Sequence, residues 1–160
     1  MAIDRSDVAD NNAQRARLRA LVARMSDADL ATPMPAGWTV AAVLGHLAFW
    51  DQRILELLEA SERGTPPAPF DEAHVDWIND AGKPFLLAVA PRKLAELAVA
   101  IAEAVDAKVA ALSDDFVTRN AKTGSLVNLV RAEHRKEHLD EIERLLWRSG
   151  AVAPTEPGHR

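Results

Sequence analysis

The chain has 160 residues, 48% of them apolar and 27% charged, with a formal net charge of -5 and no cysteine. That balance is globular rather than disordered, and the length suits one domain with a real core. The acidic charge and only 5% aromatic residues argue against a nucleic-acid binder, and without cysteine there is no disulfide, thiol nucleophile or thiolate ligand, so a transition-metal centre has to use histidine and carboxylate.

The first thirty residues are studded with Asp4, Arg5, Asp7, Asp10, Arg15, Arg17 and Arg19, and they lack the apolar run of a secretory leader. The longest clear apolar run, PFLLAVAP, is far below the roughly 20 residues of a membrane span. The expectation is a soluble, cytoplasmic protein with no membrane and no nucleic-acid partner.

Alanine and leucine dominate and β-branched runs are rare, so the pattern predicts four main helices and no strand. The first covers Asp10 to Met25, with the stripe Leu18, Leu21, Val22 and Met25 at helical spacing. SDADLATPMPAG then breaks the pattern with two prolines and a glycine. The second helix opens at Thr39, a suitable N-cap. Trp38 before it and Val43 after it have the spacing of a hydrophobic staple. It runs to about Glu62 with the stripe Val43, Leu47, Trp50, Ile54 and Leu57 or Leu58.

RGTPPAP ends that helix, and a short helix near Asp71 to Asp80 is expected inside a long connection from about Arg63 to Ala90. The third main helix starts near Pro91, which suits a first helical position, and carries Leu94, Leu97, Ile101, Val105, Val109 and Leu112. SDDFVTRNAKTG reads as a break. The fourth helix is expected from Ser125 to Ser149, with Gly150 as its stop. Residues 151–160 hold two prolines and no stripe, the marks of a flexible tail. Four amphipathic helices of this length bury their stripes against one another as an all-α four-helix bundle, and the long connection permits a crossover. One domain over residues 1–150 is expected.

The last helix carries an anomaly. At about 100° per residue, His134 and His138 fall on the same face as Val127, Val130 and Leu145, in the middle of what reads as the buried stripe. Glu141 shares that face, and Arg131 borders it, placed to pair with Glu141 or to meet an anionic substrate. Glu133, Arg135, Lys136, Asp140 and Glu143 point toward solvent. A lone histidine on an apolar stripe is usually a hydrogen-bonded core residue. Two imidazoles one turn apart on an inward face can bind one metal ion from the same side, and burying both without partners costs a few kcal/mol each. His46, in VLGHLAFWD, borders the inner stripe of the second helix and can face the pair if the two helices are neighbours. His74 lies in the connection and His159 in the tail; neither is a leading ligand candidate. HRKEH also matches the inverted zinc-peptidase pattern with Glu137 as base, but few residues follow it and no strand is evident to hold a peptide.

GWTVAAVLGHL, with Trp38 and His46, and AEHRKEHLDEIERLL, with His134 and His138, together resemble the DinB/YfiT-like bundle proteins, a superfamily that includes the N-terminal domain of mycothiol-dependent maleylpyruvate isomerase. HVDWIND resembles a common element between the second and third helices. The resemblance spans roughly residues 10 to 149. It implies a four-helix bundle with a crossover, a divalent metal ion (zinc or nickel) held by His46, His134 and His138, and in many members a homodimer. It also implies, for some members, a low-molecular-weight thiol such as mycothiol or bacillithiol as cosubstrate.

Three neutral imidazoles leave a coordination position open, as catalytic zinc sites do. Such a position can activate water or a thiol supplied by a cosubstrate. Glu141 is placed to hold an imidazole N–H. Three functions stay open on the residues: a metal-dependent thiol transferase or hydrolase acting on a small molecule, a non-catalytic metal-binding bundle, and an interaction bundle whose histidines are satisfied by protein groups.

Overall fold

The computed structural model of the chain describes residues 3–147. Helix α1 (Ser6–Arg24) buries Leu18 and Leu21, and Met25 continues the stripe. It begins earlier than the stripe indicates, because its first turns are mostly polar and send only Asn11 inward. Ser26 opens the one-turn helix α2 (Asp27–Leu30): its hydroxyl accepts from Asp29 N, and the Asp29 carboxylate accepts from Ser26 N.

Strands β1 (Pro33–Met34) and β2 (Trp38–Thr39) pair antiparallel, Met34 opposite Trp38. Between them Ala36 and Gly37 take φ of 57° and 78°. This ribbon corrects the expectation of no strand; two residues are too few to carry an alternating pattern.

Helix α3 (Val40–Glu62) starts as predicted, with Thr39 Oγ1 accepting from Ala42 N at 3.1 Å. Every residue from Val40 to Ala48 is buried except His46. Gly45 permits this: a Cβ there would stand 2.8 Å from Leu94 Cδ2 and 2.9 Å from Leu86 Cδ2. The connection that follows holds a 3-10 turn (Glu72–His74) and helix α4 (Val75–Ala88), which passes through Pro84 and runs longer than the expected element. Helix α5 (Pro91–Ala110) buries Leu94, Val105 and Val109, but also Ala95, Ala98 and Ala102, while Leu97 is 37% exposed. Small side chains thus form much of its inner face.

The segment read as a break after α5 contains helix α6 (Asp114–Lys122), capped by Ser113 Oγ on Phe116 N. The last described helix, α7 (Ala132–Trp147), begins later than expected. Residues 126–131 are not helical. Gly124 and Ser125 take positive φ, and two asparagines pin the segment. The Asn120 side chain pairs with both the N–H and the C=O of Val127, at 3.0 and 2.8 Å. Asn11 donates to Leu129 O at 2.8 Å and accepts from Arg131 N and Ala132 N, each at 2.8 Å, which caps α7 from another helix. A sequence pattern does not reveal a cap supplied 120 residues away.

The late start corrects the helical phase. Val127 and Val130 are not on α7, so they do not define its buried face. That face is Ala132, Arg135, Leu139 and Ile142. Arg135, expected in solvent, is fully buried, and the histidines lie at the edge of this face.

The fold is all-α. Each of α1 and α3 packs against both α5 and α7, so the four long helices form a ring around the core. One part of the core joins Leu18, Leu21, Leu44, Leu47, Leu139 and Ile142, and the other joins Ile54, Leu58, Val105, Val109 and Val127. Among the described residues no helix is long and apolar enough to cross a membrane. Gly150, the proposed tail and His159 lie outside the described residues.

Candidate metal centre

The contact between α3 and α7 brings together three histidines. His46 Nε2 lies 3.1 Å from His134 Nε2. The ring centroids are 5.0 Å apart for His46 and His134, 5.0 Å for His46 and His138, and 4.9 Å for His134 and His138. One nitrogen from each of the three lies within 4.8 Å of the others. Two nitrogens at zinc-ligand distance in a tetrahedral site are about 3.3 Å apart, so this donor set fits one divalent ion with little movement. The three residues are those singled out in the sequence, and among the described residues they form the group that could hold a metal ion.

The electrostatics favour neutral imidazoles. Burial, then the charge of His138, pushes His46 down to about 4. Burial, followed by the charges of His138, His46, Arg131 and Arg135, pushes His134 down to about 3. At neutral pH both keep the lone pairs that a metal requires. His138 Nδ1 lies 3.2 Å from Glu141 Oε2. A carboxylate oxygen there accepts, so Nδ1 carries the proton and Nε2 keeps its lone pair, free for a metal. Glu141 thus holds an imidazole N–H, one of the two roles open to it from sequence.

Arg131 does not pair with Glu141. Its Nε donates to Asp51 Oδ1 at 2.8 Å. Behind the histidines Asp51 Oδ2 also accepts from Arg135, at 3.1 and 3.0 Å. Arg135 donates on to both oxygens of Asp106 at 2.7 Å, which takes a further bond from Arg15. Burial alone would depress Arg135, but its bonds to Asp106 and Asp51 hold it above its ordinary value. Sequence reasoning missed this network. Its signal is that Asp51 stands between Leu47 and Ile54, and Asp106 beside Val105, on faces that otherwise bury apolar side chains.

The histidines open onto a cleft of about 1360 Å³. Its walls include Trp38 on β2, Trp50 on α3, Phe70 from the connection and Asn79 on α4. Trp50 Nε1 donates to Asn79 Oδ1 at 2.9 Å, which ties α4 across the opening. Trp38 and Trp50 both meet the His46 ring edge-on, at 5.7 and 6.4 Å. HVDWIND therefore contributes a wall of the site through Asn79, not a ligand. His74 is exposed and lies 3.8 Å from Asp71. Glu137, the base of the peptidase pattern, lines the cleft as an exposed residue; the only strands among the described residues are the two of the ribbon, too short to bind a peptide.

Comparison with curated proteins and with solved structures returned no match. The DinB superfamily matches residues 11–142, from α1 to α7, and takes in all three histidines. With that match over most of its length, the chain belongs to the DinB superfamily.

Proposed function

We propose that this protein binds one divalent metal ion, zinc or nickel, through His46, His134 and His138, and is a metal-dependent enzyme acting on a small molecule, as a thiol-dependent transferase or a hydrolase. The observation that carries the reading is the convergence of three imidazole nitrogens from two helices at the floor of a wide cleft. A closed structural site would surround its ion with four protein ligands. Here three donors face open space.

A bound ion would supply Lewis acidity and lower the pKa of a water or thiol at its open position. The chain's own groups do the rest. Burial keeps His46 and His134 neutral, and Glu141 fixes the His138 tautomer. Trp38, Trp50 and Phe70 line the cleft beside them and limit water around a bound molecule. The absence of cysteine means that a thiol nucleophile has to arrive with a cosubstrate. A homodimer belongs to the same proposal, supported by Trp77 and Phe85 of α4, 58% and 76% exposed.

Elemental analysis of the purified protein beside His138→Ala tests the site. About one divalent ion per chain, lost in the variant, is the expected result and justifies a screen for thiol transfer and hydrolysis. No metal in either protein, even after incubation with zinc and nickel, removes the proposal.

A further inference from the structure

Arg131 is 4% exposed yet uses only its Nε on the protein, in the bond to Asp51. Among the described residues its two terminal nitrogens have no hydrogen-bond partner. No buried side-chain nitrogen or oxygen there lacks one, so those nitrogens reach solvent, and the space Arg131 lines is the cleft. Its neighbour Arg135 is different: both sides of that guanidinium are taken by Asp51 and Asp106. Three guanidinium groups, of Arg15, Arg131 and Arg135, thus share two carboxylates. The positive charge left over has its free edge at the cleft.

A second guanidinium stands in the same space. Arg53 lies 4.2 Å over the Phe70 ring and 5.9 Å from the Trp50 ring, and forms no ion pair among the described residues. Burial, then the charge of Arg131, holds it below its ordinary value, so the two cations are close enough to feel one another. The cleft's carboxylates are Glu72, Asp76, Asp80, Glu137 and Glu141; the first four are exposed and Glu141 is held by His138, and among the described residues none of the five is within ion-pair distance of either arginine. A guanidinium fixed by Asp51 at one edge and another stacked on aromatic rings are pre-positioned donors for a planar or tetrahedral oxyanion.

We infer that Arg131 and Arg53 form a recognition subsite for the carboxylate or phosphate group of a small anionic substrate, whose reacting end lies at the three histidines. This names the substrate class of the proposed enzyme and rests on the metal reading only for the reacting end. Substrate energy gained at such a subsite is used to position the bond that reacts.

Calorimetric titration of the chelated full-length protein tests it, with benzoate, inorganic phosphate and the uncharged benzyl alcohol as probes. Wild type should bind at least one of the anions and not the alcohol, and the tighter anion identifies the group recognised. Arg53→Gln and Arg131→Lys should each weaken that binding about tenfold or more, the size of one lost charge-assisted hydrogen bond. Arg53 is only half-buried, so its variant keeps the test sound if Arg131→Lys misfolds. The inference is overturned if neither anion binds, if Arg53→Gln binds them as wild type does, or if benzyl alcohol binds as tightly as benzoate. Metal content of the same proteins separates the two readings: arginine-dependent anion binding without metal uptake leaves the subsite and removes the metal site, and metal uptake without anion binding does the reverse.

Discussion

His46 Nε2 and His134 Nε2 stand 3.1 Å apart, although 88 residues separate them in the chain. Two half-buried imidazoles meet there, close to the spacing that a shared ion would require. Zinc or nickel should therefore raise the thermal midpoint. At about a hundred times the dissociation constant the gain is ~2.7 kcal/mol. His46→Ala should lose most of that gain while still folding. Thermal unfolding with and without metal checks this, and an equal gain in the variant would place the ion elsewhere.

The metal-free protein should weaken in mild acid. His46 is held to about 4 and His134 to about 3, against 6.5 for the unperturbed side chain. Between the folded and unfolded values the unfolded chain binds more protons, so stability rises with pH across that window. The contribution is fully present above 6.5 and is lost as pH falls toward 4 and then 3. Urea midpoints measured with chelator across the window should fall steadily on acidification. A flat profile in that window would contradict the burial assigned to these rings.

Replacing Arg135 with alanine should cost about 3–5 kcal/mol, because Asp51 and Asp106 would lose a buried partner and keep their charges. Denaturant unfolding of Arg135→Ala measures it. A cost below about 1 kcal/mol, typical of an exposed pair, would mean that the site chain is solvated, as the sequence alone suggested.

Asn11→Ala should cost about 2 kcal/mol, since it strips the cap from α7 and the bond to Leu129 O. Two of the three histidines ride on that helix, so metal affinity should fall as well. Chelator competition reads the second effect, and a variant with wild-type affinity would show that α7 holds its start without α1.

If α4 forms the dimer contact, Phe85→Glu should leave a monomer with unchanged metal content. Sedimentation velocity at several concentrations decides it; a wild type that is already monomeric removes the dimer.

The α3 start was legible because its cap is local: Thr39, Trp38 and the stripe lie within a few residues of one another. The three histidines were legible because they sit on regular helix, where spacing fixes direction. The start of α7 was not. Its cap comes from Asn11, and the segment before it is pinned by Asn120, both distant in sequence. That hidden start shifted the assumed phase and put Arg135 in solvent. The ion network was missed for a related reason: buried charges become readable only when their partners, on three other helices, are known.

His134 and His138 share one helix, whereas His46 comes from α3, which meets that helix only in the folded chain. A chain that loosens α3 from α7 keeps two nitrogens close together and loses the third. Its hold on a bound ion would then drop to that of a two-point chelator. If the three histidines hold an ion, the rate at which it leaves would gauge how often those two helices part, a motion that would otherwise need hydrogen exchange to detect.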